Sequence, residues 1–186
     1  PLAEWINKNC DVWVENKVEH QKLGECGVSS KICPSFLGNV DDYEVSFKPG
    51  NKVYTSVSGD DFKLYGWDKI ENLAKANSGI EFHLYGNTKK FYSVSPNIIV
   101  HGRVPQEVMN AEIKEMQGAL RLTEFDGFSE IIAKSVLWGQ YPISLIEYPH
   151  MLSVDQLDSI RFKTEPNMVG RGYYRGGVNK YPWVNK

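Results

Sequence analysis

The sequence is poor in cysteine and shows none of the spacings that cysteine chemistry uses. Its three cysteines, Cys10, Cys26 and Cys33, form no CxxC pair. That argues against a disulfide framework and against a zinc site, and it predicts a reducing, cytoplasmic setting. No apolar run is long enough to span a bilayer, and a signal peptide is not expected. Charge of one sign is also missing: the net value is −2 over 186 residues. Nothing in that balance draws the chain to nucleic acid or to an anionic membrane. GxSxG, P-loop and HExxH motifs are absent. The stretch GRGYYRGG (170–177) fails as GxGxxG because Arg175 stands where the third glycine belongs, so NAD is not expected. The chain begins at Pro1 rather than methionine and is expected to be part of a longer protein.

What the sequence does have is a regular alternation of short β-rich runs and helical runs. DVWVEN (11–16) and SKICPSF (30–36) read as strands around a helix at 17–28. KVYTSVSG (52–59), IEFHLYG (80–86), IIVHG (98–102), GALRLT (118–123) and YPISLI (141–146) read as strands. Between them lie helices at 66–79, 105–116 and 127–139. The first of these carries Trp67, Ile70, Leu73 and Ala74 at helical spacing and stops at Gly79. A helix at 153–163 opens on Ser153 as N-cap, and 167–180 is a weaker helix because it holds four glycines. This order predicts an α/β fold: a three-layer, doubly wound parallel sheet of Rossmann type with right-handed crossovers. We divide the chain into a passage with a first strand and helix at 1–50 and a binding domain at 51–186. Ligands of such sheets bind beyond the carboxyl ends of the strands.

Three strand ends carry candidate chemistry. In TEFDGFSEIIAKSVLWGQYPIS (123–144), Gly127 permits a tight turn and a close ligand approach. The N–H groups of Phe128, Ser129 and Glu130 at the helix start suit a diphosphate, and Asp126 suits sugar hydroxyls. Taken locally, a plain solvent-facing turn capped by Asp126 or Ser129 explains the pattern as well. In SVSGDDFKLYG (56–66), Gly59 admits a phosphate with Lys63 as cation, against the two acids Asp60 and Asp61; a solvated loop is the competing reading. In VHGRVPQE (100–107), Arg103 reaches a phosphate or faces solvent, and a lone His101 reads as structural. No residue is assigned to a metal.

The order IEFHLYG, NIIVHGRVPQEVMNAEIKEM, GALRLTEFDGFSEIIAKSVLWG, QYPI resembles the donor-binding, C-terminal half of GT-B glycosyltransferases, in particular the large retaining family 4. The resemblance covers roughly residues 50 to 165. It implies transfer of a hexose, with retention, from a UDP- or GDP-linked sugar to a hydroxyl on a glycan or lipid-linked acceptor. No cofactor, metal or nucleic acid is implied. An N-terminal acceptor domain is, as is a cytoplasmic site with a peripheral place at the inner membrane face as a second option.

Position by position, the resemblance assigns Asp126 to the first carboxylate of the family's E-x7-E motif, beside the donor sugar. It assigns Gly127, Phe128 and Ser129 to the G-F-G that offers backbone N–H groups. Val104 falls on the loop that meets the base, Gly59 on the loop that approaches the diphosphate, and Lys63 and Arg103 supply charge. The chain departs from the family at three points. The second glutamate of the motif, which holds ribose hydroxyls, is Lys134, and an ammonium cannot accept those bonds. Lys134 therefore either supplies a cation near the phosphates, with ribose held another way, or records a donor site that has been lost. The first loop carries Asp60 and Asp61 in place of basic residues. GQYPI has one residue more than the usual G-x-P.

Overall fold

The computed structural model describes residues 1–33, 38–58, 61–87 and 95–178. In chain order it contains α1 (Leu2–Asn9), β1 (Trp13–Val14), α2 (Lys17–Glu25), β2 (Lys31–Ile32), β3 (Lys52–Ser56), α3 (Trp67–Ala76), β4 (Glu81–Tyr85), β5 (Ile98–Gly102), α4 (Gln106–Ile113), β6 (Gly118–Arg121), α5 (Glu130–Leu137), β7 (Ile143–Ser144) and α6 (Met168–Val178). A 3₁₀ segment, Val154–Phe162, follows β7.

Five strands form one sheet in the order β5-β4-β3-β6-β7, and every pairing is parallel. Counted from β3 this is the 3-2-1-4-5 order of a Rossmann half, as the alternating sequence predicts. Strand alternation splits the core between two faces. Val53, Leu120 and Ile143 pack with Ile70 and Ala74 of α3 and with Leu157 and Ile160. Their neighbours Tyr54 and Ala119 pack with Ile113 of α4 and Ile132 of α5. The opposite side of α5, through Ala133, Val136 and Leu137, meets Tyr174 of α6.

Several expected boundaries shift for physical reasons. The helix expected over 153–163 is 3₁₀, because its apolar residues Val154, Leu157 and Ile160 recur every third position. Three residues per turn brings all three onto one face. Residues 127–129 are not helical; α5 starts at Glu130. The additional residue in GQYPI is Gln140, wholly buried. Its Oε1 accepts the Tyr54 and Ser135 hydroxyls, each at 2.9 Å, and its Nε2 donates to the Ile113 carbonyl at 2.7 Å. The insertion thus fills the space under β3 with a satisfied polar network. Residues 167–180 do form a helix, α6, as far as Val178, despite their glycines. α1 has no counterpart in the sequence reading.

β1 and β2 form a separate two-stranded parallel sheet. Asn16 caps α2 by accepting the Glu19 N–H at 3.0 Å. Among the described residues no helix is long and apolar enough to cross a membrane.

Candidate functional site

β3 and β6 are neighbours, and the chain leaves β3 toward β4 and β6 toward β7, in opposite directions along the sheet. A crevice opens outside the carboxyl ends of strands at such a switch point. A cavity of roughly 440 Å³ sits there, within the range of small-ligand sites. One wall is the end of β3, Ser56 to Ser58. The second is the Arg103–Val104 loop that leads into α4, and the third is Asp126 and the first turn of α5.

Seven of the residues singled out from the sequence line this one cavity: Arg103, Val104, Asp126, Phe128, Ser129, Glu130 and Lys134. Lys63 does not. It lines a second cavity of roughly 420 Å³ with Asp68, Lys69 and the Leu122–Phe125 segment. The reason is local. Asp61 Oδ1 accepts the Leu64 N–H at 3.2 Å, and Lys63 O accepts the Gly66 N–H at 3.1 Å. This tight turn carries Lys63 away from the crevice. Gly59 lies outside the described residues.

Gly127 lies against the side chain of a residue from another part of the chain. A Cβ there would overlap the carboxylate of Glu15. Glu15 Oε2 accepts the Phe128 N–H at 2.7 Å. Asn16 Nδ2 donates to the Asp126 carbonyl at 2.7 Å and to the Gly127 carbonyl at 3.2 Å. The Tyr148 hydroxyl also donates to the Gly127 carbonyl. These contacts hold residues 126–128 in a bent, non-helical path ahead of α5, which starts at Glu130. Burial, followed by the nearby Asp126 charge, pushes the Tyr148 hydroxyl up. Ser129 is the N-cap of α5, yet its hydroxyl makes no capping bond. It is buried and borders the cavity.

The charges of the cavity are mostly paired. Lys134 Nζ lies 3.2 Å from Glu130 Oε1, one turn back on α5. Asp126 Oδ2 accepts from Arg121 Nε at 2.7 Å, with 18% and 16% of the two side chains exposed. Arg121 ends β6, and its guanidinium lies 4.5 Å from the centre of the Tyr65 ring. Sequence reasoning missed Arg121. The available signal was an arginine inside the buried run GALRL, a position where charge needs a partner. It missed Glu15 as well, and no local pattern marks that residue.

Tyr85, another cavity residue, donates its hydroxyl to Glu112 at 2.6 Å. Glu112 also approaches His101 at 3.5 Å. His101 Nε2 and His83 Nδ1 are 2.9 Å apart, so one nitrogen donates and the other accepts. Among the described residues no group of three or more side chains is gathered as a metal site.

No protein-family model and no curated protein matches the sequence. Solved structures do match the coordinates. TarM of S. aureus, solved with UDP and alpha-GlcNAc-glycerol, superimposes on 98% of this chain at a TM-score of 0.64 and 12% identity. The lipopolysaccharide outer core galactosyltransferase WaaB superimposes on 95% at 0.65 and 14% identity. Anabaena HepE, solved with UDP and glucose, superimposes on 96% at 0.61 and 7% identity. The fold is that of a GT-B C-terminal domain. What these structures share with the chain is the GT-B architecture. The chain spans 42% of TarM, 63% of WaaB and 65% of HepE.

Proposed function

We propose that the chain is the donor-binding half of a glycosyltransferase. It takes a UDP- or GDP-linked hexose and, with an acceptor domain completing the cleft, passes the sugar to a hydroxyl acceptor with retention. The observation that carries this reading is the convergence of Arg103, Val104, Asp126, Phe128, Ser129 and Lys134 on one cavity at the switch point of a GT-B sheet.

In this reading the backbone at Val104 meets the base, and Arg103 and the N–H groups at the start of α5 meet the diphosphate. Fixed donors of this kind act where charge develops on the leaving group. Asp126 positions the sugar through the carboxylate oxygen not engaged by Arg121. The reaction then runs without a metal. Lys134 does not hold the ribose as the family's glutamate does, so ribose contacts come from elsewhere in the cavity wall. The acceptor domain is supported by the first 33 residues. α1 buries none of its residues and exposes Leu2 and Trp5, and a two-stranded parallel sheet is too small to stand alone. Both features fit a surface completed by another domain. Transfer needs the cleft between the two domains, so the isolated half binds donor and transfers little.

A second reading is a non-catalytic module on the same fold. The contact between Glu15 and the Phe128 N–H favours it, because a carboxylate already takes one of the backbone N–H groups assigned to the donor. Calorimetry with a panel of UDP- and GDP-sugars separates the two. Binding of one donor with a dissociation constant of about 1 mM or tighter, roughly 4 kcal/mol, supports the transferase reading. Silence across the panel leaves the non-catalytic module.

A further inference from the structure

The GT-B donor reading leaves one electrostatic gap. A diphosphate entering the crevice needs cations, and the first loop brings none there among the described residues: Lys63 faces the second cavity. Lys134 is engaged by Glu130. Arg103 is in the cavity and, among the described residues, forms no ion pair, but it sits on the wall beside α4.

Arg121 occupies a different place. It ends β6, the strand next to β3, so its side chain enters the crevice at the switch point itself. Ser56 and Ser58, at the end of β3, line the same cavity. Two contacts fix the guanidinium: Nε donates to Asp126 Oδ2, and the planar group lies over the ring of Tyr65. Nε is the atom spent on Asp126. The two terminal NH₂ groups carry the rest of the five N–H donors, in the fork that matches phosphate oxygens.

We propose that Arg121 binds the diphosphate of the donor beside Arg103, replacing the basic residues missing from the first loop, and that Asp126 and Tyr65 hold its guanidinium in position. The assignment rests on the donor-binding reading above. It gives Asp126 a second duty. Its carboxylate orients the cation through Oδ2 while Oδ1 faces the sugar. It also explains why an arginine is placed in an otherwise apolar strand end. The ion pair makes its burial tolerable, and a ligand with two further charges fits the donors left over.

The test is calorimetry of the folded chain with UDP, GDP, inorganic pyrophosphate, uridine and guanosine. Arg121→Gln leaves the Asp126 carboxylate buried without its partner, so Arg121→Gln/Asp126→Asn is measured beside it, with thermal melting to show that each folds. The double variant keeps the net charge of the cavity unchanged, and any loss of anion affinity then reports the guanidinium. The expected result is a roughly ten- to hundredfold loss for the diphosphates and for pyrophosphate, the size of one charge-assisted contact, with nucleoside affinity retained. A folded double variant that binds UDP, GDP and pyrophosphate as the parent does overturns the role of Arg121 and leaves the donor reading intact. Pyrophosphate binding that depends on Arg121, without any gain from the nucleoside, keeps the role and removes the nucleotide reading. A parent chain that binds none of these ligands removes both.

Discussion

The carboxylate of Glu15 accepts the backbone N–H of Phe128 at 2.7 Å and fills the space that Gly127 leaves open. The two residues are 113 positions apart in the chain. In the donor reading this carboxylate competes with the donor for the Phe128 N–H, two residues before α5. Glu15→Ala is expected to tighten binding of UDP- or GDP-sugars about fivefold, the effect of removing roughly 1 kcal/mol of like-charge repulsion. Glu15→Gln, which keeps the shape and loses the charge, is expected to move affinity in the same direction. Calorimetry checks both. Unchanged affinity with a lower melting temperature assigns Glu15 to loop stability alone.

His83 and His101 couple stability to pH. Burial lowers the pKa of His83 from 6.5, and the charge of His101 lowers it further. Burial also lowers that of His101, against the opposing pull of Glu112. Glu81 and Lys52 are the other charged groups acting on His83. A histidine with a depressed folded pKa binds protons more readily once unfolded. Its contribution is therefore full above about pH 6.5 and is lost as pH falls toward the folded value. Protonating both rings also places two N–H groups head to head across the 2.9 Å contact. Melting temperature between pH 8 and pH 5 is expected to fall more steeply in the parent than in His83→Asn. Parallel curves would show that the pair does not titrate on folding.

Gly66 sits at φ 68° as the N-cap of α3, and a Cβ there would overlap the Leu122 carbonyl oxygen. Gly66→Ala combines a left-handed backbone with a clash against main chain that has little room to yield. A loss of roughly 2–4 kcal/mol is expected, read as a shift in the denaturant midpoint. A change under about 0.5 kcal/mol would mean that the turn relaxes freely.

The sheet and its crossovers were readable because local signals agree there. Apolar runs of strand length alternate with helical spacing, and Gly79 and Gly139 mark the helix ends. The cavity's walls were partly readable because ligands of a parallel sheet bind beyond the carboxyl ends of its strands, where Arg103 and Asp126 lie; which two strands flank the crevice came only from the strand order. Other features depend on distant residues and leave no local trace. α5 starts late because Glu15, Asn16 and Tyr148 hold the loop before it. Lys63 turns away because the Leu64 N–H bonds Asp61 and the chain turns sharply at Gly66. Gln140 looked like an insertion and is a buried bridge between Tyr54 and Ile113. Arg121 looked like part of a strand, and its role depends on Asp126 and Tyr65.

Lys134 tests how the ribose is held. Its ammonium is engaged by Glu130 across one helical turn and borders the cavity. Lys134→Glu supplies the acceptor that the family uses and removes the ion pair. Nucleoside affinity is expected to rise roughly three- to tenfold, the value of one new hydrogen bond. The cost in stability is expected to stay near 1 kcal/mol, since the new carboxylate faces Glu130. Calorimetry with uridine and guanosine, beside a melting curve, gives both numbers. A stability change with no change in affinity would place Lys134 outside ribose recognition.

The central claim is that the crevice between β3 and β6 receives a nucleotide. Amide shift mapping of the ¹⁵N-labelled chain, titrated with UDP and with GDP, tests it most directly. The account predicts saturable shifts for one of the two nucleotides at Ser56–Ser58, Arg103–Val104, Arg121 and Ser129–Lys134. Shifts confined to the second cavity around Lys63–Lys69, or no shifts with either nucleotide, would contradict it.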